Sequence, residues 1–218
     1  MKSLYILLYL VFFGTLTLLA QPKSHVFVFL HTRIDKPELS KEQVDKIMEG
    51  HMTNINKMAK ENKLIVAGPF EGGGGIFIFN STSINDVTEW MRADPGIQAN
   101  RWKVEMLLYT PRSGSVCAVK EPYEMTMYSF VRYVPNIAKF NVQEAPEIFG
   151  KHDDYLKEIK KTGNVIAEGT FGENEGGILI MKGDLQPEVI EQDPAVREGL
   201  LELMPKKLYV AKGAFCEK

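Results

Sequence analysis

The segment Leu64-Ile65-Val66-Ala67-Gly68-Pro69-Phe70, followed by the glycine run Gly72 to Gly75 and by Ile76-Phe77-Ile78-Phe79, decides how the chain is read. It lies in a longer series that starts at His51 and ends at Asp94-Pro95. The series returns as His152, Val165-Ile166-Ala167-Glu168-Gly169-Thr170-Phe171, Gly176-Gly177, Ile178-Leu179-Ile180-Met181 and Asp193-Pro194. The histidines are 101 residues apart, Gly68 and Gly169 are also 101 apart, and the aspartates are 99 apart. One unit is written twice, and each copy keeps a histidine and an Asp-Pro.

Working outward, His25 to His31 is rich in Val and Phe and reads as a strand. Ser40-Lys41-Glu42-Gln43 has the form of a capping box and starts a helix. Its apolar stripe of Val44, Ile47, Met48, Ile55, Met58 and Ala59 includes His51, which therefore faces inward. Leu64–Ala67 and Ile76–Phe79 are strands joined by a glycine turn. Ser83 opens a second helix with Ile84, Val87, Trp90 and Met91 inward, and Pro95 ends it. Val104 to Tyr109 is the fourth strand, and Thr110 to Tyr123 reads as a linker. The second copy has a strand at Met127 to Val134 and a helix with Pro146 near its start. His152 lies on that helix's inward stripe, and a last strand runs over Leu208 to Ala211. The order βαββαβ, twice, predicts two α+β ferredoxin-like units, each a four-stranded antiparallel sheet with both helices on one face. Two such sheets can cover each other, leaving a cleft between sheet and helix for a small ligand.

The 218 residues are 44% hydrophobic and 25% charged, an ordinary globular composition. Net charge is −2 and there is no long basic run, which argues against nucleic acid or an anionic membrane surface as partner. Lys2, the apolar run Leu4 to Leu19 and Ala20-Gln21-Pro22 follow the plan of a secretory signal peptide. An uncleaved anchor is the alternative, but the run is short against the ~20 residues of a span. Division into a leader at 1–20 and units at 21–115 and 116–218 follows, with export to a periplasm or the outside and no membrane contact after cleavage. Cys117 and Cys216 each close one unit and share the repeat offset of 99. They are either a disulfide between the two ends or two free, partly buried thiols.

The histidine in the first helix, Asn62-Lys63-Leu64-Ile65-Val66-Ala67-Gly68-Pro69-Phe70, Gly74-Gly75 and Asp94-Pro95 together resemble the YCII-related (YciI-like) family. The second copy carries the pattern less fully, with Thr170 in place of the proline, and Asn100 of the first copy stands where the second keeps Gly199. The resemblance implies a dimeric α+β barrel, here formed within one chain. It also implies a histidine–aspartate active pair, carried onto His51 with Asp94 and His152 with Asp193. Similarity to muconolactone isomerases and small dehalogenating lyases implies a lyase or isomerase acting on a small organic molecule.

A neutral imidazole beside a carboxylate is a usable general base. The competing reading makes both histidines satisfied core residues and both Asp-Pro pairs turns. Substrate contacts are expected at Gly68, Pro69, Phe70, Gly169 and Phe171. Arg132, mid-strand, would bind a substrate carboxylate if it points inward and is solvated if it points outward. His25 and His31 have no histidine counterparts, the second copy having Met127 and Tyr133 there. A metal site lacks a further ligand, and no cofactor is called for. Trp90 and Trp102 read as packing residues. Two other functions remain: a non-catalytic binder of a small apolar or aromatic ligand, haem among them as in barrel relatives, or an assembly role with empty clefts. The assembly is a monomer with an internal pseudo-dimer, or a higher homo-oligomer.

Overall fold

A computed structural model describes residues 23–139, 141, 143–172 and 176–217. The leader reading lies outside the described residues.

The first unit comprises β1 (His25–Thr32), α1 (Lys41–Lys60), β2 (Leu64–Pro69), β3 (Gly75–Phe79), α2 (Ile84–Met91), α3 (Pro95–Gln98) and β4 (Trp102–Ser113). The second comprises β5 (Met125–Pro135), α4 (Ala145–Lys161), β6 (Val165–Phe171), β7 (Gly177–Met181), α5 (Pro187–Ile190), α6 (Pro194–Arg197) and β8 (Leu201–Ala211). A 3-10 turn at Ile137–Lys139 precedes α4. All eight strands join one antiparallel sheet in the order β2-β3-β1-β4-β6-β7-β5-β8. A bridge between Phe70 and Leu208 brings β8 back to the end of β2 and closes the barrel. The molecule is therefore an intrachain dimeric α+β barrel, as expected, with helices outside.

Barrel closure explains why β1 alternates only weakly. Its odd residues, Phe27 and Phe29, enter an aromatic interior with Tyr109, Phe130 and Phe171. Its even residues, Val26, Val28 and Leu30, meet Met58, Val87 and Met91 beneath the helices. A strand covered on both faces reads as a continuous apolar run. The second unit repeats the outer core with Val131, Leu156, Ile159 and Leu179.

Several boundaries differ from the sequence reading. Residues 110–113 are not linker: β4 continues through Ser113 because Thr110 and Pro111 pair with Thr170 and Gly169 of β6, a partner from the other unit. The last strand starts at Leu201, seven residues earlier, and contains Pro205 opposite Val131. A proline fits there because the outer side of β8 is an edge beyond the Phe70 bridge. Pro95 does not merely end a helix. Asp94 caps α3 and Pro95 is its first residue, the favoured place for proline. Ile84 at the start of α2 is exposed, while Val87 and Met91 are buried. The register aligns His25 with Tyr128 and His31 with Val134, one residue beyond the counterparts read from sequence, and again neither is histidine.

The capping box of α1 is present, with Gln43 N donating to Ser40 Oγ at 3.3 Å and Ser40 N donating to Gln43 Oε1 at 2.9 Å. Gly68 and Gly169 mark the two seams of the barrel. A Cβ on Gly68 would lie 2.2 Å from Val210 Cγ1 and 2.5 Å from the Tyr209 carbonyl. One on Gly169 would lie 2.5 Å from the Thr110 carbonyl and from the Tyr109 ring. Either Gly→Ala change pushes backbone apart and is expected to cost about 1–3 kcal/mol, read as a lower urea midpoint. An unchanged midpoint would show that the seams yield.

Candidate active site

Both histidines sit on the inner face of the long helix of their unit and meet an aspartate that caps the short helix beginning at the Asp-Pro. In the first unit, His51 Nδ1 lies 2.9 Å from Asp94 Oδ2 and 3.0 Å from Oδ1. Gly96 N and Ile97 N donate to Asp94 Oδ1, and Asn54 Nδ2 donates to Oδ2 at 3.1 Å. In the second, His152 Nδ1 lies 2.6 Å from Asp193 Oδ2, while Ala195 N donates to Oδ1 at 2.9 Å. The helix cap explains the Asp-Pro: one carboxylate oxygen is held by backbone N–H, which aims the carboxylate at the imidazole. An ionised carboxylate only accepts, so each Nδ1 is the donor to its aspartate, and in the neutral ring Nε2 is the nitrogen that keeps a lone pair. Burial pushes the Asp94 carboxyl up, but hydrogen bonds from His51, Asn54 and the Ile97 amide outweigh it and hold the group below its ordinary value.

The two copies then diverge. In the first, Trp102 at the start of β4 packs on the His51 ring with centroids 4.7 Å apart, and Phe77 stacks on it at 5.9 Å. The equivalent position in the second unit, at the start of β8, is Leu201, and a cavity of about 300 Å³ opens there. His152, Tyr133, Leu201, Glu168, Arg112 and Thr170 line it. By register Tyr133 replaces Leu30 and Glu168 replaces Ala67. Glu168, 1% exposed, receives Arg112 Nε at 2.7 Å and Lys160 Nζ at 3.1 Å. Arg112 Nη1 also donates to Asp153 at 2.7 Å. Tyr133 is 2% exposed, its ring meets the His152 ring edge-on at 5.2 Å, and its hydroxyl has no hydrogen-bond partner among the described residues. A second cavity, about 210 Å³, lies by His25 and Asn62, and neither cavity is lined by His51.

The remaining expected contacts are dispersed. Gly169 and Thr170 line the cavity, but Gly68 lies at the opposite seam and Pro69 is exposed at the end of β2. Phe70 packs on Phe130 at 5.0 Å, and Phe171 is sealed among Phe27, Phe29 and Tyr109. Both aromatic rings serve the barrel interior, on the other face of the sheet from the histidines. Arg132 does point inward, but its partner is internal. It forms a two-pronged ion pair with Glu105 at 2.7 and 2.8 Å, stacks on Phe29 at 4.2 Å, and shares Glu105 with His31. Its second unit origin makes this a clasp between the units, not a free anion site.

That clasp sets an acid limit. Arg132, then His31, draws the Glu105 carboxyl from 4.5 to about 2. A depressed carboxyl contributes stability above its unfolded value, which is lost as pH falls from about 4.5 toward 2. Glu105→Gln is expected to flatten that limb of a stability–pH curve. An unaltered limb would place the acid sensitivity elsewhere.

Sequence reasoning missed Tyr133, Glu168 and Arg112. Glu168 alone left a signal, as an acid inside an apolar strand whose first-unit counterpart is alanine. Among the described residues no group of three His, Cys, Asp or Glu is placed to hold a metal ion, and no helix is long and apolar enough to cross a membrane.

Comparison with known proteins now bears on the first unit directly. The sequence of residues 26–107 matches the YCII-related domain family. The first unit is a YCII-related domain. Its match spans β1 through the first half of β4, including both His51 and Asp94, and the second unit reproduces the YCII element order with its own His–Asp pair. Among curated proteins none matches the chain in sequence. Of solved structures, a mutant chlorite dismutase from Candidatus Nitrospira defluvii is similar over 87% of this chain and 92% of its own, with TM-score 0.50 and 10% identity. Another mutant of that enzyme aligns over 85% and 90%, with TM-score 0.49 and 8% identity. The first likeness shows the same barrel fold as this chain.

Proposed function

We propose that the second unit is the working half of an exported acid–base enzyme, a lyase or isomerase that moves a proton on a small organic substrate. The supporting observation is the cavity of about 300 Å³ beside His152, where the first unit has Trp102 against His51. His152 Nε2 takes the proton, and Asp193 fixes the tautomer and stabilises the imidazolium that results. His51 and Asp94 keep the same pair as a packing element under Trp102. Export is supported by the leader-like start and by the bond between Cys117 and Cys216, which suits an oxidising compartment.

The test is deuterium uptake from D2O into a panel of small carbon acids, followed by proton NMR with the purified mature chain. Leu201→Trp, which copies the first unit's plug, is expected to abolish uptake while leaving the His152–Asp193 pair in place. Full uptake by that variant would sink the assignment of the cavity.

A further inference from the structure

Among the described residues, the cation lining the cavity is already engaged. Arg112 gives Nε and Nη2 to Glu168 and Nη1 to Asp153, and Lys160 gives its charge to Glu168 from behind. Arg132, the other inward arginine, is consumed by Glu105 on the far face of the sheet. Acids meanwhile surround the site: Glu168 and Asp153 line it, and Asp193 lies behind His152. A substrate carboxylate entering here would meet no free positive group among the described lining residues and would have to displace Asp153 from Arg112. The unsatisfied group is neutral instead. Tyr133 lines the cavity with its ring edge-on to His152, and its buried Oη lacks a hydrogen-bond partner among the described residues. A buried hydroxyl left unpaired costs about 1–3 kcal/mol, which a ligand acceptor would restore.

We infer that this cavity takes a small uncharged carbonyl compound, with the Tyr133 hydroxyl donating to its carbonyl oxygen. The inference rests on the proton-transfer reading and adds the substrate class to it. In the reaction, the C–H bond next to the carbonyl breaks and its proton forms an N–H bond at His152 Nε2. The electron pair moves onto the carbonyl oxygen, giving an enolate held by the Tyr133 O–H. In a β,γ-unsaturated carbonyl compound, return of the same proton to the γ-carbon, as the electron pair moves back from oxygen and the double bond shifts to the α,β position, completes an isomerisation with no co-reactant. Burial, with Asp193, Tyr155 and Glu168 nearby, pushes the Tyr133 phenol well above its ordinary value, so it remains a donor. The first unit cannot do this, because leucine stands at the tyrosine position.

Methyl levulinate and levulinate carry the same ketone and differ in one charge. Their binding to the full mature chain, measured by NMR titration, tests the class. The ester is expected to bind at least about tenfold more tightly than the acid, and Tyr133→Phe is expected to weaken the ester about tenfold while leaving the fold unchanged. Leu201→Trp should remove ester binding. Equal or tighter binding of levulinate overturns the inference, as does failure of the ester to bind or an unweakened Tyr133→Phe. Deuterium uptake recorded on the same samples separates the two proposals. Ester binding without uptake keeps the substrate class and removes the catalytic role. Uptake favouring levulinate keeps the catalytic role and removes the neutral class.

Discussion

His152→Ala is expected to lower proton exchange by about 10²–10⁴-fold, the range for loss of a positioned general base, while His51→Ala leaves the rate nearly unchanged. The asymmetry follows from packing. Both imidazoles have an aspartate within 3.0 Å, so the dyad alone does not distinguish them. The neighbour at the start of the last strand does: the indole of Trp102 lies against His51, whereas Leu201 lines a cavity beside His152. His51→Ala should instead show in stability, since it removes a partner from Asp94, a carboxylate that is fully buried. Thermal melts run beside the rate assay separate the two effects. If both alanine variants lose exchange equally, the units act together and the plug by Trp102 does not matter.

The second large effect is thermodynamic. Cys117 follows β4 and Cys216 follows β8, and their bond closes a separation of 99 residues. In the chain-entropy picture a loop of that length stabilises the fold by about 4–5 kcal/mol. A Cys117→Ser, Cys216→Ser double variant is thus expected to melt on the order of 10 °C lower. The effect is expected to exceed that of any single surface ion pair in this chain, such as Lys41–Asp45, because those are worth at most about 1 kcal/mol. Cys117 N also donates to the Ala214 carbonyl at 2.9 Å, so the two ends touch by backbone as well as by sulfur. A melt unaltered by the double substitution would mean that this backbone contact and the two barrel seams suffice.

The duplicated series fixed a great deal without any coordinates. Hydrophobic period, with a capping box for α1 and Pro146 for α4, placed both long helices and put His51 and His152 on their buried faces, because a helix stripe is a local property of spacing. The repeated βαββαβ order led to the paired sheets, and the matched Asp-Pro pairs marked the two carboxylates. What the sequence could not show was decided by strand register and by side-chain volume across the fold. The full length of β4 depends on β6, its neighbour from the other unit, which no local pattern reveals. The same register sends Phe171 and Arg132 into the barrel interior and Tyr133 toward His152, since adjacent residues of a strand face opposite sides. Above all, the difference between the two halves lies in Trp102 and Leu201, each about fifty residues from its histidine in sequence. Only the close-packed tertiary structure brings each beside the ring it covers or leaves open, and so decides which dyad meets a cavity.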